Sequence, residues 1–185
     1  FEKRYLELVS DSMKNNRLFG MIQPRLKNKN SSEVYNVGCL GKIVNFNETN
    51  DRRFIISLSG IIRFKIVNEL KTNKLYREFE VNYSDFVDDL LEKKILTKNL
   101  DAKKIINKIK KFYNKNDYLI EFEKLEKLNF EQMINTICMI SPFSVEEKQK
   151  LIETINIEQK INILEEIIDF YLFSNSENII NNTLQ

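Results

Sequence analysis

The chain has 185 residues, of which 42% are hydrophobic and 30% are charged, and its formal net charge is +2. This composition is typical of a globular protein, and so small a charge excludes the strong positive field that draws basic proteins to nucleic acids or membranes. Histidine is absent, which excludes Ser-His-Asp and Cys-His nucleophiles and most zinc sites, and the four glycines lack the spacing of an ATP-binding P-loop.

The cysteines and the apolar runs favour an intracellular setting. Cys39 and Cys138 are far apart and have no metal-ligand spacing, so we expect buried thiols in a reducing compartment rather than a disulfide framework. No stretch of the sequence approaches the ~20 apolar residues of a membrane span. We therefore expect a cytoplasmic protein with no cofactor, no metal and no membrane partner.

The first half of the sequence predicts one helix followed by strands. Apolar residues at helical spacing indicate a helix from Glu2 to about Lys14, and the apolar run Leu18–Gln23, closed by Pro24, indicates a strand. The polar segment Arg25–Asn36 indicates a loop. Period-two alternation then predicts strands over residues 42–48, 53–59, 62–67 and 78–83. Since their links are short, the sheet should be mostly antiparallel, with Gly60 marking a bulge or bend.

The second half of the sequence is helical in pattern. One apolar stripe predicts a helix over Leu100–Tyr113, and three capping signatures predict helices near 130–140, 145–154 and 157–173, before a frayed tail from Ser174. The signatures are Asn129 with Gln132, Ser144 with Glu147, and Asn156 with Gln159. The expected organisation is α+β, with a β-rich subdomain over residues 1–92 and a helical subdomain over 93–185 packed on it.

Several short motifs occur in a distinctive order. They are Phe1-Glu2-Lys3-Arg4-Tyr5, Leu18-Phe19-Gly20-Met21, Val37-Gly38-Cys39-Leu40-Gly41, Gly60 with Arg63-Phe64, and Pro142-Phe143-Ser144 with Glu147-Lys148-Gln149. In this order they resemble the N-terminal, substrate-binding domain of the Lon protease family, including free-standing bacterial proteins that carry that domain alone. Lys3 departs from the family pattern, which has proline there.

The resemblance implies a PUA-like β pseudo-barrel followed by a C-terminal helical bundle. It also implies a non-catalytic module that recognises polypeptides in protein quality control or as an adaptor. Family members have one or two strands before the first motif, so we expect these strands to be missing from this chain. No catalytic residue carries over, because the ATPase and Ser-Lys proteolytic modules of the family have no counterpart in this sequence.

Three functional hypotheses remain open. For polypeptide binding, we predict contacts on the polar loop and the adjacent sheet edge, where a peptide could add a strand, with Arg25, Tyr35 and Arg53 as candidate residues. The alternative is nucleic-acid binding by one basic helical face, formed by Lys104, Lys108, Lys111 and Lys115. The third is a fragment or accessory part of an ATP-dependent serine protease, tested by the sequence that flanks this chain.

Other polar motifs are interpreted as structural. Gly38-Cys39-Leu40-Gly41 has a GxxG spacing, but strand-like sequence follows it, so its glycines should permit close backbone approach rather than clamp RNA. The carboxylate cluster of Asp88, Asp89 and Glu92 indicates a solvated turn or helix start rather than a cation site. For Arg63 we expect a cross-strand pair with Glu78 or Glu80.

Overall fold

The structure, a computed structural model, describes residues 2–25, 32–51, 53–91 and 102–182, with the backbone alone from 174 onward. The chain divides into two compact units, Phe1–Glu92 and Lys93–Gln185. The elements are α1 (Lys3–Lys14), β1 (Leu18–Met21), β2 (Val37–Glu48), β3 (Phe54–Leu70), β4 (Glu78–Asn82), a 3₁₀ segment (Ser84–Leu90), α2 (Ala102–Lys115), α3 (Phe122–Leu125), α4 (Phe130–Ile140), α5 (Val145–Glu153) and α6 (Ile157–Asn182).

The four strands form an antiparallel sheet in the order β1-β2-β3-β4. The predicted α+β class and antiparallel sheet are therefore confirmed. The predicted strands 53–59 and 62–67 are one continuous strand, β3, because Gly60 lies at a bulge rather than at a turn. Leu40 pairs with Ile62 while Gly41 pairs with Gly60, which leaves Ile61 as the extra residue. A bulge of this kind bends the strand without interrupting it.

Two glycines of the motif strands make room for one aromatic ring. Phe64 on β3 is 2% exposed, and it pairs directly with Gly38 on β2. A Cβ atom added to Gly38 would lie 2.7 Å from the Phe64 ring and 2.6 Å from the carbonyl oxygen of Met21, and one added to Gly20 would lie 3.0 Å from the same ring. Close backbone approach, as expected from the sequence, is thus the role of Gly38.

Helix α1 covers the outer part of the β2–β3 hairpin. Val9 of α1 packs with Phe19 and Ile43 in one buried cluster. The Asp11 carboxylate on the same helix accepts hydrogen bonds from Lys74 Nζ at 2.5 Å and Tyr76 Oη at 3.0 Å, both from the β3–β4 connection. The bonds from Lys74 and Tyr76 hold the pKa of Asp11 below its usual value. The helix therefore fixes the connection that leads into β4.

Arg63 joins β3 to the 3₁₀ segment, and this corrects two expectations. Its Nε and Nη2 atoms donate to the two carboxylate oxygens of Asp89 at 2.9 and 2.7 Å, and its backbone N–H donates to Asp89 Oδ2 at 3.0 Å. Its guanidinium also lies over the Phe86 ring at 4.4 Å. Arg63 thus pairs with Asp89 rather than with Glu78 or Glu80, and Asp89 belongs to an ion pair rather than to a solvated turn. Glu92 lies outside the described residues.

The helical unit is built around the side chain of Phe112, which is 0% exposed. Four aromatic rings surround it with centroid distances of 5.3 to 5.7 Å, namely those of Tyr113, Tyr118, Phe143 and Tyr171. The Tyr113 hydroxyl shares a buried hydrogen bond of 2.7 Å with Ser141 Oγ. Burial raises the pKa of Tyr113. An aromatic cluster thus lies within a core whose other buried members are mainly Ile and Leu, and the buried Tyr113 hydroxyl has a hydrogen-bond partner.

The late motif, Pro142-Phe143-Ser144 with Glu147-Lys148-Gln149, has structural roles. Ser144 and Glu147 form the capping box that starts α5. Glu147 also accepts a hydrogen bond from Tyr171 Oη at 3.0 Å, and Lys148 Nζ donates to the Met139 carbonyl at the end of α4 at 3.0 Å. The motif therefore connects the end of α4, the start of α5 and the middle of α6, and its polar side chains are engaged within the fold.

The capping signatures locate the helices well. The box at Asn129 and the box at Ser144 are both formed, and the Asn156 side chain accepts from the Gln159 N–H at 2.9 Å. The prediction of a frayed tail from Ser174 is wrong, because α6 continues to Asn182. Each further residue of an established helix adds a hydrogen bond without a new nucleation cost, so a helix propagates past polar residues. The short helix α3 and the 3₁₀ segment had no predictive signal.

The end of α2 provides a test of backbone strain. Asp117 has a φ of 52°, next to the Tyr118 N–H that closes the helix by donating to the Tyr113 carbonyl at 3.0 Å. The left-handed region costs a non-glycine residue energy, and a carboxylate is unfavourable at a helix C-terminus. Asp117→Gly should raise the free energy of unfolding by up to about 1 kcal/mol, measured by urea denaturation. Asp117→Ala removes the charge but keeps the strain, so equal stabilisation by both variants would contradict the argument.

Candidate recognition surface

The segment Arg25–Asn36, predicted as a loop, is paired at both of its ends. Beyond β1, the Arg25 N–H donates to the Glu33 carbonyl at 2.8 Å and the Tyr35 N–H donates to the Gln23 carbonyl at 2.9 Å. Pro24 and Val34 form the bridge between these two bonds. The ends of the predicted loop are thus a paired extension of the β1–β2 hairpin, and its middle, residues 26–31, lies outside the described residues.

Two of the predicted site residues lie together on this extension. The guanidinium of Arg25 lies over the ring of Tyr35, 4.9 Å from its centroid. Both residues are half-buried, and the pair combines a planar cation with an aromatic face, which is the kind of group that anchors protein interfaces. We call Arg25 and Tyr35 the Arg-Tyr pair.

Arg77 also reaches this part of the hairpin, and the sequence analysis missed it. Its Nε and Nη2 atoms donate to both carboxylate oxygens of Glu69 at 2.6 Å, and its Nη1 atom donates to the Ser32 carbonyl at 2.7 Å. The hydrogen bonds from Arg77 lower the pKa of Glu69. The sequence offered one signal for Arg77. Only seven of the 29 basic residues are arginines, and Arg77 is the last arginine in the chain.

The structure does not bring Arg53 to the Arg-Tyr pair. Arg53 forms an exposed ion pair with Asp51, 2.5 Å long, at the far end of the β2–β3 hairpin. The 12 residues of β2 lie between that end and Tyr35, a length of about 40 Å along the strand. Arg53 is therefore a suitable control position for tests of the Arg-Tyr pair.

The predicted lysine face is partly committed to contacts with α6. Lys108 Nζ lies 2.7 Å from Asp169 Oδ2 and 3.4 Å from Glu165 Oε1, and Lys115 Nζ donates to the Leu172 carbonyl at 2.5 Å. The other two members of the face, Lys104 and Lys111, are exposed. The nucleic-acid hypothesis stays a prediction, and the partners of Lys108 and Lys115 count against it, because phosphate binding would have to compete with them.

The described residues form neither a metal-binding cluster nor a reactive cysteine site. No three His, Cys, Asp or Glu side chains converge as metal ligands there. Both cysteines are free and half-buried, and burial raises the pKa of Cys138 to about 11. Across the same residues, no helix combines the length and the apolar character needed to cross a bilayer.

Comparison with known proteins agrees with this architecture. Residues 1–169 match the family model of the ATP-dependent protease La (LON) substrate-binding domain. The chain is 20% identical over 164 residues to a Lon protease of Dictyoglomus thermophilum, covering 86% of the chain and 20% of that protein. It is 24% identical over 182 residues to a Lon protease of Syntrophus aciditrophicus, covering 91% and 22%. The chain thus spans about a fifth of the length of these curated relatives.

Two solved structures show the same fold. A Lon N-terminal domain protein from Xanthomonas campestris superposes with a TM-score of 0.59 at 18% identity, covering 91% of this chain and 85% of that one. The N-terminal domain of a Mycobacterium avium complex Lon protease superposes with a TM-score of 0.61 at 13% identity, covering 91% and 87%. With its family model matched over most of its length, this chain belongs to the ATP-dependent protease La (LON) substrate-binding domain family.

Proposed function

We propose that the chain is a non-catalytic module that recognises polypeptides in the cytoplasm, either selecting substrates for protein quality control or acting as an adaptor. The observation that carries this proposal is the match to the substrate-binding domain family over residues 1–169, which includes most of both units. The same recognition role also fits a chain that is a fragment or accessory part of an ATP-dependent serine protease. In either case the chain supplies recognition, and catalysis belongs elsewhere.

The Arg-Tyr pair is the surface we assign to recognition. Tyr35 offers an aromatic face, and Arg25 keeps that face oriented. The pair adjoins β1, which is an edge strand of the described sheet. The segment Leu18–Pro24 contains no charged residue, whereas the opposite edge, β4, carries Glu78 and Glu80. Since edge charges discourage the addition of a further strand, the β1 edge is the better site for an extended polypeptide.

The backbone geometry of β1 supports this assignment. The Ile43 N–H donates to the Arg17 carbonyl, and bonds between antiparallel strands alternate along the chain. The Arg17 carbonyl and the backbone groups of Phe19 therefore face β2, while Gly20 directs its backbone groups away from β2. The Gly20 N–H and carbonyl are groups that an added strand would pair with, on the same chain segment that leads to Arg25, five residues further on.

Binding of an unfolded polypeptide tests the proposal. Fluorescently labelled, reduced and carboxymethylated α-lactalbumin should bind the chain, and the native form of the same protein should bind at least about tenfold more weakly, since only the unfolded form offers extended backbone. Fluorescence anisotropy gives both dissociation constants. Equal affinity for the two forms, or binding of neither, would contradict polypeptide recognition.

Substitution of the pair tests the surface. Tyr35→Ala should weaken binding by about 2 kcal/mol, or roughly 30-fold, as for an interface anchor, and Arg25→Glu should weaken it in the same direction. Arg53→Glu, at the far end of the β2–β3 hairpin, is the matched control and should leave the affinity unchanged. If Tyr35→Ala and Arg25→Glu bind as well as the unaltered chain, recognition lies elsewhere on the molecule.

A further inference from the structure

We propose that Arg77 is a positioning residue for the Arg-Tyr pair. It holds the segment 32–36, which carries Tyr35, so that polypeptide binding depends on Arg77 although Arg77 does not touch the bound polypeptide. This inference rests on the proposed function, since it concerns the same surface. Arg77 lies in the β3–β4 connection, 45 positions from Ser32 in sequence, and it donates 2.7 Å to the Ser32 carbonyl. Ser32 is three residues before Tyr35.

The guanidinium of Arg77 is fixed before it reaches Ser32. Two of its nitrogens are occupied by the two oxygens of Glu69, each at 2.6 Å. A bidentate pair sets the plane of the guanidinium, which a single point contact would not do. The Phe79 ring lies beneath that plane, 4.9 Å from the guanidinium carbon. With the plane fixed, the third nitrogen, Nη1, points toward the Ser32 carbonyl.

The backbone around Arg77 is itself held in place. The preceding residue, Tyr76, donates its hydroxyl hydrogen to Asp11 on α1 at 3.0 Å, and the Leu75 N–H donates to Glu7 on the same helix at 3.1 Å. Glu69 and Phe79, the two partners of Arg77, are paired residues of β3 and β4. Arg77 therefore extends from a corner that α1, β3 and β4 hold together.

The segment 32–36, which leads into β2, is consequently held from two sides. On one side, main-chain hydrogen bonds join Glu33 to Arg25 and Tyr35 to Gln23. On the other side, Arg77 binds Ser32. With both restraints, the Tyr35 ring stays beneath Arg25 before a ligand arrives, and an ordered surface loses less conformational entropy on binding. Loss of Arg77 would remove the hydrogen bond that restrains this segment at Ser32.

Hydrogen exchange tests the positioning role independently of any ligand. In Arg77→Ala, the amides of Arg25 and Tyr35 should exchange about tenfold faster, because the pairing they report opens locally. The amide of Thr49, which donates to the Arg53 carbonyl at the far end of the β2–β3 hairpin at 2.9 Å, should be unchanged. Arg77→Lys should be intermediate, since one ammonium cannot hold both Glu69 and Ser32 in a fork.

Binding of the labelled, carboxymethylated α-lactalbumin completes the test. Arg77→Ala should weaken binding by about fivefold, Arg77→Lys should recover part of this loss, and Arg77→Ala combined with Tyr35→Ala should bind no more weakly than Tyr35→Ala alone. Unchanged exchange, unchanged affinity, or faster exchange at Thr49 as well would each overturn the positioning role. If Tyr35→Ala has no effect on binding, the assigned surface is wrong, and the exchange rates still decide whether Arg77 orders the segment 32–36.

Discussion

Replacing Gly38 by alanine is expected to destabilise the N-terminal unit by about 3 kcal/mol, the upper range for an overpacked core position. The added Cβ would lie 2.6 Å from the Met21 carbonyl oxygen, 2.7 Å from the Phe64 ring and 2.9 Å from Ile22 Cγ1. The ring and the Ile22 side chain can shift slightly, but the Met21 carbonyl belongs to the hairpin backbone. Relief therefore requires β1 and β2 to move apart, and chemical denaturation should show a lower unfolding midpoint.

The matched control for this prediction is Gly41→Ala on the same strand. A Cβ at Gly41 would meet its nearest neighbours at 3.8 Å, which is ordinary van der Waals contact. Alanine there should change the free energy of unfolding by less than about 1 kcal/mol, because the loss of chain flexibility in the unfolded state acts in its favour. If Gly38→Ala and Gly41→Ala destabilise the protein equally, the loss comes from replacing any strand glycine. The close approach of the Met21 carbonyl and the Phe64 ring to Gly38 is then not its cause.

Truncation of Phe112 is the second substitution with a large expected effect. Phe112→Ala should cost the helical unit about 3–5 kcal/mol, since it removes a fully buried ring and leaves a cavity among four other aromatic rings. If that variant fails to fold, Phe112→Leu keeps most of the volume, and its smaller loss can be measured by urea denaturation.

An exposed phenylalanine of the same unit provides the comparison. Phe173 on α6 is 74% exposed, so Phe173→Ala should change stability by less than about 0.5 kcal/mol. Both substitutions remove the same ring, and only the burial of that ring differs. A loss for Phe173→Ala as large as that for Phe112→Ala would mean that the Phe112 cluster is not the centre of the core.

The motifs that reveal the family are mainly scaffold residues in this chain. Gly38 admits Phe64, Arg63 binds Asp89, and Ser144 with Glu147 starts α5. The residues assigned to recognition, Arg25 and Tyr35, fall between two of these motifs and outside both. Function in such a domain can therefore vary through a few surface residues while the ordered motifs maintain the fold.

The elements that could be predicted from sequence are those whose cause is local. A capping side chain and the N–H it accepts from are three residues apart, so Asn129 and Ser144 locate α4 and α5. Apolar periodicity likewise locates α1 and most of the strand positions. Where no local cause exists, the prediction failed: the 3₁₀ segment is too short for a period. The bulge or bend predicted at Gly60 is a bulge, but the sequence did not show that β3 continues through it as one strand.

The sequence by itself determined the class of fold, the family and most helix starts, and it named Arg25 and Tyr35, together with Arg53, as candidate residues. Only the tertiary structure decided which ions pair and which arginine binds the Ser32 carbonyl beside the Arg-Tyr pair. Arg63 and Asp89 are 26 positions apart, Arg77 and Ser32 are 45, and Lys108 and Asp169 are 61. Such contacts depend on how strands and helices pack, and since a carboxylate or carbonyl anywhere in the chain can accept a hydrogen bond, no spacing in the sequence selects the partner.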